Sequence, residues 1–120
     1  MTFKFEKLEI WQLAVEYNDA IYAIAAELPK DEEFNLKGQI RRASTSIALN
    51  IAEGSTGQSD AEQNRFLGLA LRSVYETVAC IHLIQRHNYL NGSERLKKAY
   101  EQSEELARKI QAMRNYLKGR

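Results

Sequence analysis

Two histidines, one cysteine and a set of carboxylates are the side chains of this 120-residue chain that could do chemistry. His82 and His87 stand five residues apart in a segment of helical periodicity. They therefore point about 140° from one another and cannot share a metal ion. No cluster of cysteine and histidine completes a zinc-type site around either. An Arg–His pair at the close spacing used by helical-bundle ribonucleases is missing, since Arg72 precedes His82 by ten residues and Arg86 adjoins His87. Cys80 has no helix N-terminus beside it and no base within sequence reach, and reads as a small packed thiol. As the sole cysteine it can form no intramolecular disulfide, which fits a reducing cytoplasm.

The carboxylates form an ExxE at Glu6 and Glu9 and an ExxD at Glu16 and Asp19. All-helical nucleotide pyrophosphatases hold magnesium with such motifs on two facing helices. Here both pairs lie on or before one helix, ten residues and so about 15 Å apart. They cannot converge on one metal cluster within a subunit, and they read as a solvated acidic face. The turn Gly54-Ser55-Thr56 lacks the lysine and the spacing of a phosphate loop. The chain is expected to be no enzyme and to hold no metal and no cofactor.

The elements that carry these residues are helices. The first spans about 8–28 and has two apolar tracks, Ile10-Ala14-Tyr17-Ile21-Ile24-Leu28 and Trp11-Val15-Asn18-Tyr22-Ala25. Together they cover more surface than one core stripe needs. Pro29 ends the pattern, and Asp31, Glu32 and Glu33 place negative charge where the second helix, about 34–53, begins. Its stripe is Leu36, Ile40, Ala43, Ile47 and Ile51, running into Gly54, which fits a left-handed C-cap. Ser59 or Asp60 caps the third helix, about 60–88. That helix is also doubly apolar, through Phe66-Ala70-Ser73-Thr77-Ile81-Ile84 and Leu67-Leu71-Val74-Val78-Ile81. Ser93 caps the fourth, about 93–118, whose Leu96, Ala99, Ser103, Leu106, Ile110, Met113 and Leu117 step by three and four as a heptad seam. Short connections favour antiparallel neighbours, so the fold class is all-α, an up-down-up-down four-helix bundle in a single domain over 1–120. No run of eighteen apolar residues suggests a membrane span, and the N-terminus lacks the pattern of a signal peptide.

Net charge is only +1, but it is unevenly placed. Residues 1–35 hold three Lys/Arg against eight Asp/Glu, and residues 91–120 hold eight against four. Either the first and last helices lie side by side and attract, or the last presents a basic face to phosphates. A second ordered feature is the polar track Gln39, Ser46, Asn50 and Glu53 along one flank of the second helix. Its structural reading is a hydrogen-bonded seam whose partners are Ser73, Glu76 and Thr77 on the third helix. Its functional reading is a ligand or cation site.

Trp11, then Gln39, Arg42-Ala43, Ser46-Ile47 and Asn50-Ile51-Ala52-Glu53-Gly54, resemble the QxxRAxxSIxxNIAEG signature of the bacterial four helix bundle proteins. Ser59, Glu62, Phe66-Leu67, Ala70, Ser73 and Glu76 are similar to the stretch that follows it. That family includes proteins encoded by intervening sequences of large-subunit ribosomal RNA genes, and the accessory variability determinant of diversity-generating retroelements. The resemblance implies a four-helix protomer in a ring-like homopentamer with a central channel. It also implies a binding role, because the retroelement relative is strongly basic, binds nucleic acid and partners a reverse transcriptase. Trp11, Gln39, Ser46, Asn50, Glu53, Gly54, Ser73 and Glu76 are then expected to specify helix–helix and subunit packing. The expected contacts to RNA, DNA or a nucleic-acid enzyme are Arg41, Arg42, Lys97, Lys98, Arg108, Lys109, Arg114 and Lys118. Arg108, Lys109 and Lys118 lie off the heptad seam and are expected to be free for phosphates. The alternative is a scaffold that binds protein only, and a third reading is a nucleotide enzyme acting through Glu6, Glu9, Glu16 and Asp19.

Overall fold

Apolar side chains at steps of three and four carry the chain through four helices: α1 Glu9–Ala26, α2 Leu36–Gly54, α3 Asp60–Arg86 and α4 Glu94–Lys118. The structure is a computed structural model that describes residues 2–120. Two single-turn 3-10 segments, Lys4–Lys7 and Lys30–Glu32, precede α1 and α2. Periodicity could not show them, because one turn is too short to have a period.

Each helix packs on the next and α4 returns to α1, closing a square of four. Neighbours meet with residue numbers running in opposite senses. Asn18 of α1 reaches Ser44 of α2, while the ring of Tyr22, one turn on, lies near Arg41, one turn back. Gln39 meets Glu76, and Ser46 meets Ser73. Asn64 meets Arg114, and His82 meets Tyr100. Glu9 pairs with Lys109, and Glu27 with Arg95. The helices therefore alternate in direction, as short connections require. The body measures 46 × 23 × 22 Å, its length set by α3.

The core is filled by Ile10, Tyr17, Ile21 and Ile24 of α1, Ile40, Ile47 and Ile51 of α2, Leu67, Val74, Ile81 and Ile84 of α3, and Leu106 and Ile110 of α4. Both apolar tracks of α3 face into the bundle: Ala70, Thr77, Ile81 and Ile84 are buried, and so are Leu67, Leu71 and Val74. Most of the double track is therefore used in the core of a single chain, while Phe66, Ser73 and Val78 are half-buried. By length and composition α3 could cross a membrane, yet many of its apolar side chains are buried in this core, while Tyr75 and Leu83 are exposed. On α1 the two tracks separate. Ile10 through Leu28 is wholly buried, whereas Val15 and Tyr22 of the other track remain 38% and 46% exposed.

Helix ends follow the chemistry of orphan amides. Ser59 accepts from the Glu62 N–H and Ser93 from the Leu96 N–H. At α2 the Asn35 side chain makes no cap bond; instead the Glu32 carboxylate accepts from the Leu36 N–H at 3.3 Å, Asn35 Nδ2 at 2.9 Å and Tyr89 Oη at 2.9 Å. One acidic side chain thus joins the start of α2 to the α3–α4 turn. Gly54 departs from the expected C-cap. It ends α2 without a positive φ, and the left-handed glycines among the described residues are Gly57 and Gly92. Gly54 is required for a different reason: a Cβ there would lie 2.9 Å from Phe66 Cβ, where α2 and α3 approach closely.

Candidate binding surface

The polar track of α2 divides on folding. Gln39 Nε2 donates to Glu76 Oε2 at 2.8 Å, and Ser73 Oγ donates to Ser46 Oγ at 3.1 Å, so two of its members bridge α2 to α3. Asn50 does not bridge: its amide donates to the Ser46 carbonyl and hydroxyl one turn back in its own helix. Glu53 is exposed and takes no part in the seam. Thr77 serves elsewhere, bonded to Tyr17 at 2.7 Å in the buried interior. Trp11 is half-buried, with Phe5 of the first 3-10 turn set edge-on against it at 4.6 Å between centroids. Periodicity places a residue on a face, but only the register between helices decides which polar groups meet.

The basic residues also divide. Lys109 is not free, since its ammonium sits 2.7 Å from Glu9 Oε2. With Arg95 on Glu27 at 3.1 Å, it ties the basic α4 to the acidic α1. Arg114 is half-buried, its Nε donating to Asn64 Oδ1 at 2.8 Å and its guanidinium lying over Gly68. Lys97, Lys98, Arg108 and Lys118 are exposed. Glu101, Glu104 and Glu105 lie between them in the same helix, so α4 presents alternating rather than uniform charge.

Arg41 and Arg42 lie in a different setting. They line a groove between α1 and α2 of about 590 Å³ together with Tyr22, Gly38, Thr45, Ser46, Leu49 and Asn50. Arg42 Nη2 donates to Gln39 Oε1 at 3.2 Å, which couples it to the Gln39–Glu76 bridge. The missing side chain of Gly38 makes room for it: a Cβ there would stand 3.0 Å from Arg42 Nη1. Arg41 is oriented by Glu33 at 3.5 Å and faces the Tyr22 ring at 6.0 Å. Tyr22 Oη and Asn18 Nδ2 both reach Thr45 Oγ1. Two held guanidinia, an aromatic wall, hydroxyls and an amide form a surface suited to an anionic, partly planar ligand. Sequence reasoning named the arginines but missed Tyr22 and Gly38. The signal was present in the second apolar track of α1 and in a glycine placed early in a helix, where it costs stability.

On the opposite edge, between α3 and α4, Tyr75 is 62% exposed and Tyr100 also reaches solvent. His82 stands edge-on to Tyr100, and a groove of about 680 Å³ runs from them to Tyr89, Leu90 and Leu96. The histidines fall on exposed positions of α3 and its C-cap. Cys80 is buried, which pushes its thiol up, away from the reactive thiolate, with Glu76 adding to the effect. Among the described residues no three His, Cys, Asp or Glu side chains gather as metal ligands.

A closed four-helix bundle whose distinctive polar residues sit on helix seams and surface grooves defines the class. The chain belongs to the 23S rRNA-intervening sequence protein family, whose model matches residues 6–112. It is similar to the crystal structure of a protein of unknown function of the S23 ribosomal protein family from Bacteroides thetaiotaomicron. The two share 26% identity with a TM-score of 0.76, over 87% of this chain and 96% of that one. No curated protein matches the sequence.

Proposed function

We propose that this protein is a non-enzymatic, self-associating helical bundle, a homopentamer, that binds nucleic acid or a nucleic-acid-processing partner. The observation that carries the binding role is the α1–α2 groove, where Arg41 and Arg42 are held beside Tyr22, Thr45 and Asn50. Arginine forks suit phosphate oxygens, and an exposed aromatic ring suits an unpaired base. The α4 cations contribute less, because Lys109 is occupied and glutamates separate the others. Self-association is supported by the uncovered aromatic side chains of the α3–α4 edge, which lies across the square from the groove. Two different edges on one protomer allow head-to-tail contacts that close into a ring.

The test is binding of a single-stranded RNA and a duplex DNA titrated across salt. A log affinity that falls linearly with log salt counts the phosphates engaged. Loss of binding in Arg41→Ala/Arg42→Ala, with Lys97→Ala/Lys98→Ala/Arg108→Ala little changed, supports the groove; no binding at low salt refutes the nucleic-acid role. Light scattering that returns a monomer mass at micromolar concentration refutes the pentamer. The Glu9–Lys109 and Glu27–Arg95 pairs favour a second reading, a scaffold for protein partners only, because they use basic charge internally. Its signature is oligomerisation without salt-sensitive nucleic-acid binding.

A further inference from the structure

The Gly54-Ser55-Thr56 turn has neither lysine nor spacing for a phosphate loop in sequence, yet folding supplies a lysine from elsewhere. Lys4, on the first 3-10 turn, joins Gly54, Gly57, Gln58, Ser59 and Asp60 around a small polar recess of about 140 Å³ at the N-terminus of α3. Gln63 completes the wall. It is only 7% exposed, and its Nε2, a donor, has no hydrogen-bond partner. A buried amide donor left unpaired is costly and calls for an acceptor.

We propose that this recess binds a small oxyanion, a phosphate or a phosphomonoester. The first-turn N–H groups of Asp60 and Ala61 have no intrahelical acceptor, and the dipole of a 27-residue helix favours negative charge at this end. Lys4 supplies a full positive charge, and Gln63 Nε2 supplies a donor that has no other use. Gly57, with φ of +90° and nothing within 4 Å of a Cβ position, keeps the mouth open. The Asp60 carboxylate also lines the recess, but both of its oxygens are taken by Arg120, at 2.9 Å each. That guanidinium neutralises the one group that would repel an anion. The volume accommodates about five heavy atoms at roughly 30 Å³ per water-sized group, which fits one tetrahedral anion. The inference does not depend on the reading of the α1–α2 groove, which lies on another part of the molecule.

The test is titration of the full chain with inorganic phosphate against chloride at matched ionic strength, followed by ¹H–¹⁵N spectra. Saturable shifts confined to the Asp60 and Ala61 amides and the Gln63 side-chain amide are expected. Both Gln63→Glu, which exchanges the donor for a carboxylate, and Lys4→Ala are expected to weaken the apparent affinity at least tenfold. Lys4 is exposed, so Lys4→Ala keeps the test decisive if Gln63→Glu does not fold. A parallel arm compares a 5′-phosphorylated RNA decamer with its 5′-hydroxyl form. Shifts with inorganic phosphate, or with the 5′-phosphorylated strand alone, support the site and name the source of the phosphate. No saturable shift in either arm, or shifts unaltered by both substitutions, overturns it.

Discussion

Tyr17 Oη donates to Thr77 Oγ1 across the centre of the bundle at 2.7 Å, between α1 and α3, with both residues wholly buried. The direction follows from Thr77, whose single proton goes to the Val74 carbonyl at 2.6 Å. The tyrosine must therefore be the donor. Thr77→Val strands the tyrosine proton in the core and is expected to cost about 1–3 kcal/mol, whereas Tyr17→Phe leaves Thr77 bonded to Val74 and is expected to cost about 1 kcal/mol. Urea unfolding of both variants and the double variant measures the difference; a larger cost for Tyr17→Phe than for Thr77→Val would contradict the assigned direction.

The same pair predicts alkaline instability. Burial pushes the Tyr17 hydroxyl up to about 12, against a smaller opposing effect of the Thr77 bond. The unfolded chain releases this proton first, near pH 10. Its contribution is full below that value and is lost as pH rises to about 12, at about 1.4 kcal/mol per pH unit. In Tyr17→Phe the decline from pH 10 to 12 is expected to be shallower. Thermal melts across that range check it.

At the acid end the relevant group is Glu32. The Tyr89 hydroxyl chiefly, with the Leu36 N–H and the Asn35 amide, holds its carboxyl below the usual range. A depressed carboxyl stabilises the fold above its unfolded pKa, and that stabilisation disappears as pH falls through the folded value. Glu32→Gln is expected to flatten the loss of melting temperature between pH 5 and 3, with Tyr89→Phe acting in the same direction. A slope identical to the parent's would show that the clasp does not form in solution.

Gly54→Ala tests the close approach of α2 and α3 at this end of the bundle. The new methyl would meet Phe66 Cβ at 2.9 Å and the Gln63 carbonyl at 3.4 Å. Because a backbone-proximal Cβ cannot swing away, the helices must separate, at a cost of about 1–3 kcal/mol. A left-handed cap would also disfavour alanine, so Gly54→Asn separates the two explanations. Asparagine tolerates positive φ yet is bulkier than alanine, and it is expected to be the more damaging of the two.

The α1–α4 ion pairs are expected to contribute little individually. Lys109→Ala and Arg95→Ala should each cost about 0.2–1 kcal/mol at low salt, and less at 1 M salt, where the screening length is about 3 Å. Urea midpoints at the two salt concentrations check this. A loss that survives high salt would mean that the aliphatic stems, rather than the charges, hold the helices together.

The four helices were legible because their signals are local. Leu96 to Leu117 alternates steps of three and four, and Ser59 and Ser93 stand where orphan amides need an acceptor. The 3-10 turns were not, because a single turn has no period, and the Glu32 clasp and the role of Gly54 were not, because each depends on a neighbour distant in sequence. Glu32 meets Tyr89, and Gly54 meets Phe66. Charge asymmetry showed that the ends of the chain could attract, but it could not say which lysine would be used. Lys109 and Lys118 both lie off the heptad seam, yet only Lys109 points toward α1 and finds Glu9.

By itself, then, the sequence determined the helices, their core stripes and the N-caps Ser59 and Ser93, since hydrophobic period and capping chemistry act within a few residues. The tertiary structure decided which polar groups meet. It turned Asn50 back on its own helix and joined Ser46 to Ser73. It gathered Arg41 and Arg42 beside Tyr22, and it carried Lys4 to the start of α3, 56 positions away at Asp60. The reason is geometric. A period fixes the face on which a side chain stands, whereas contact across helices depends on the register and spacing set when the whole core packs.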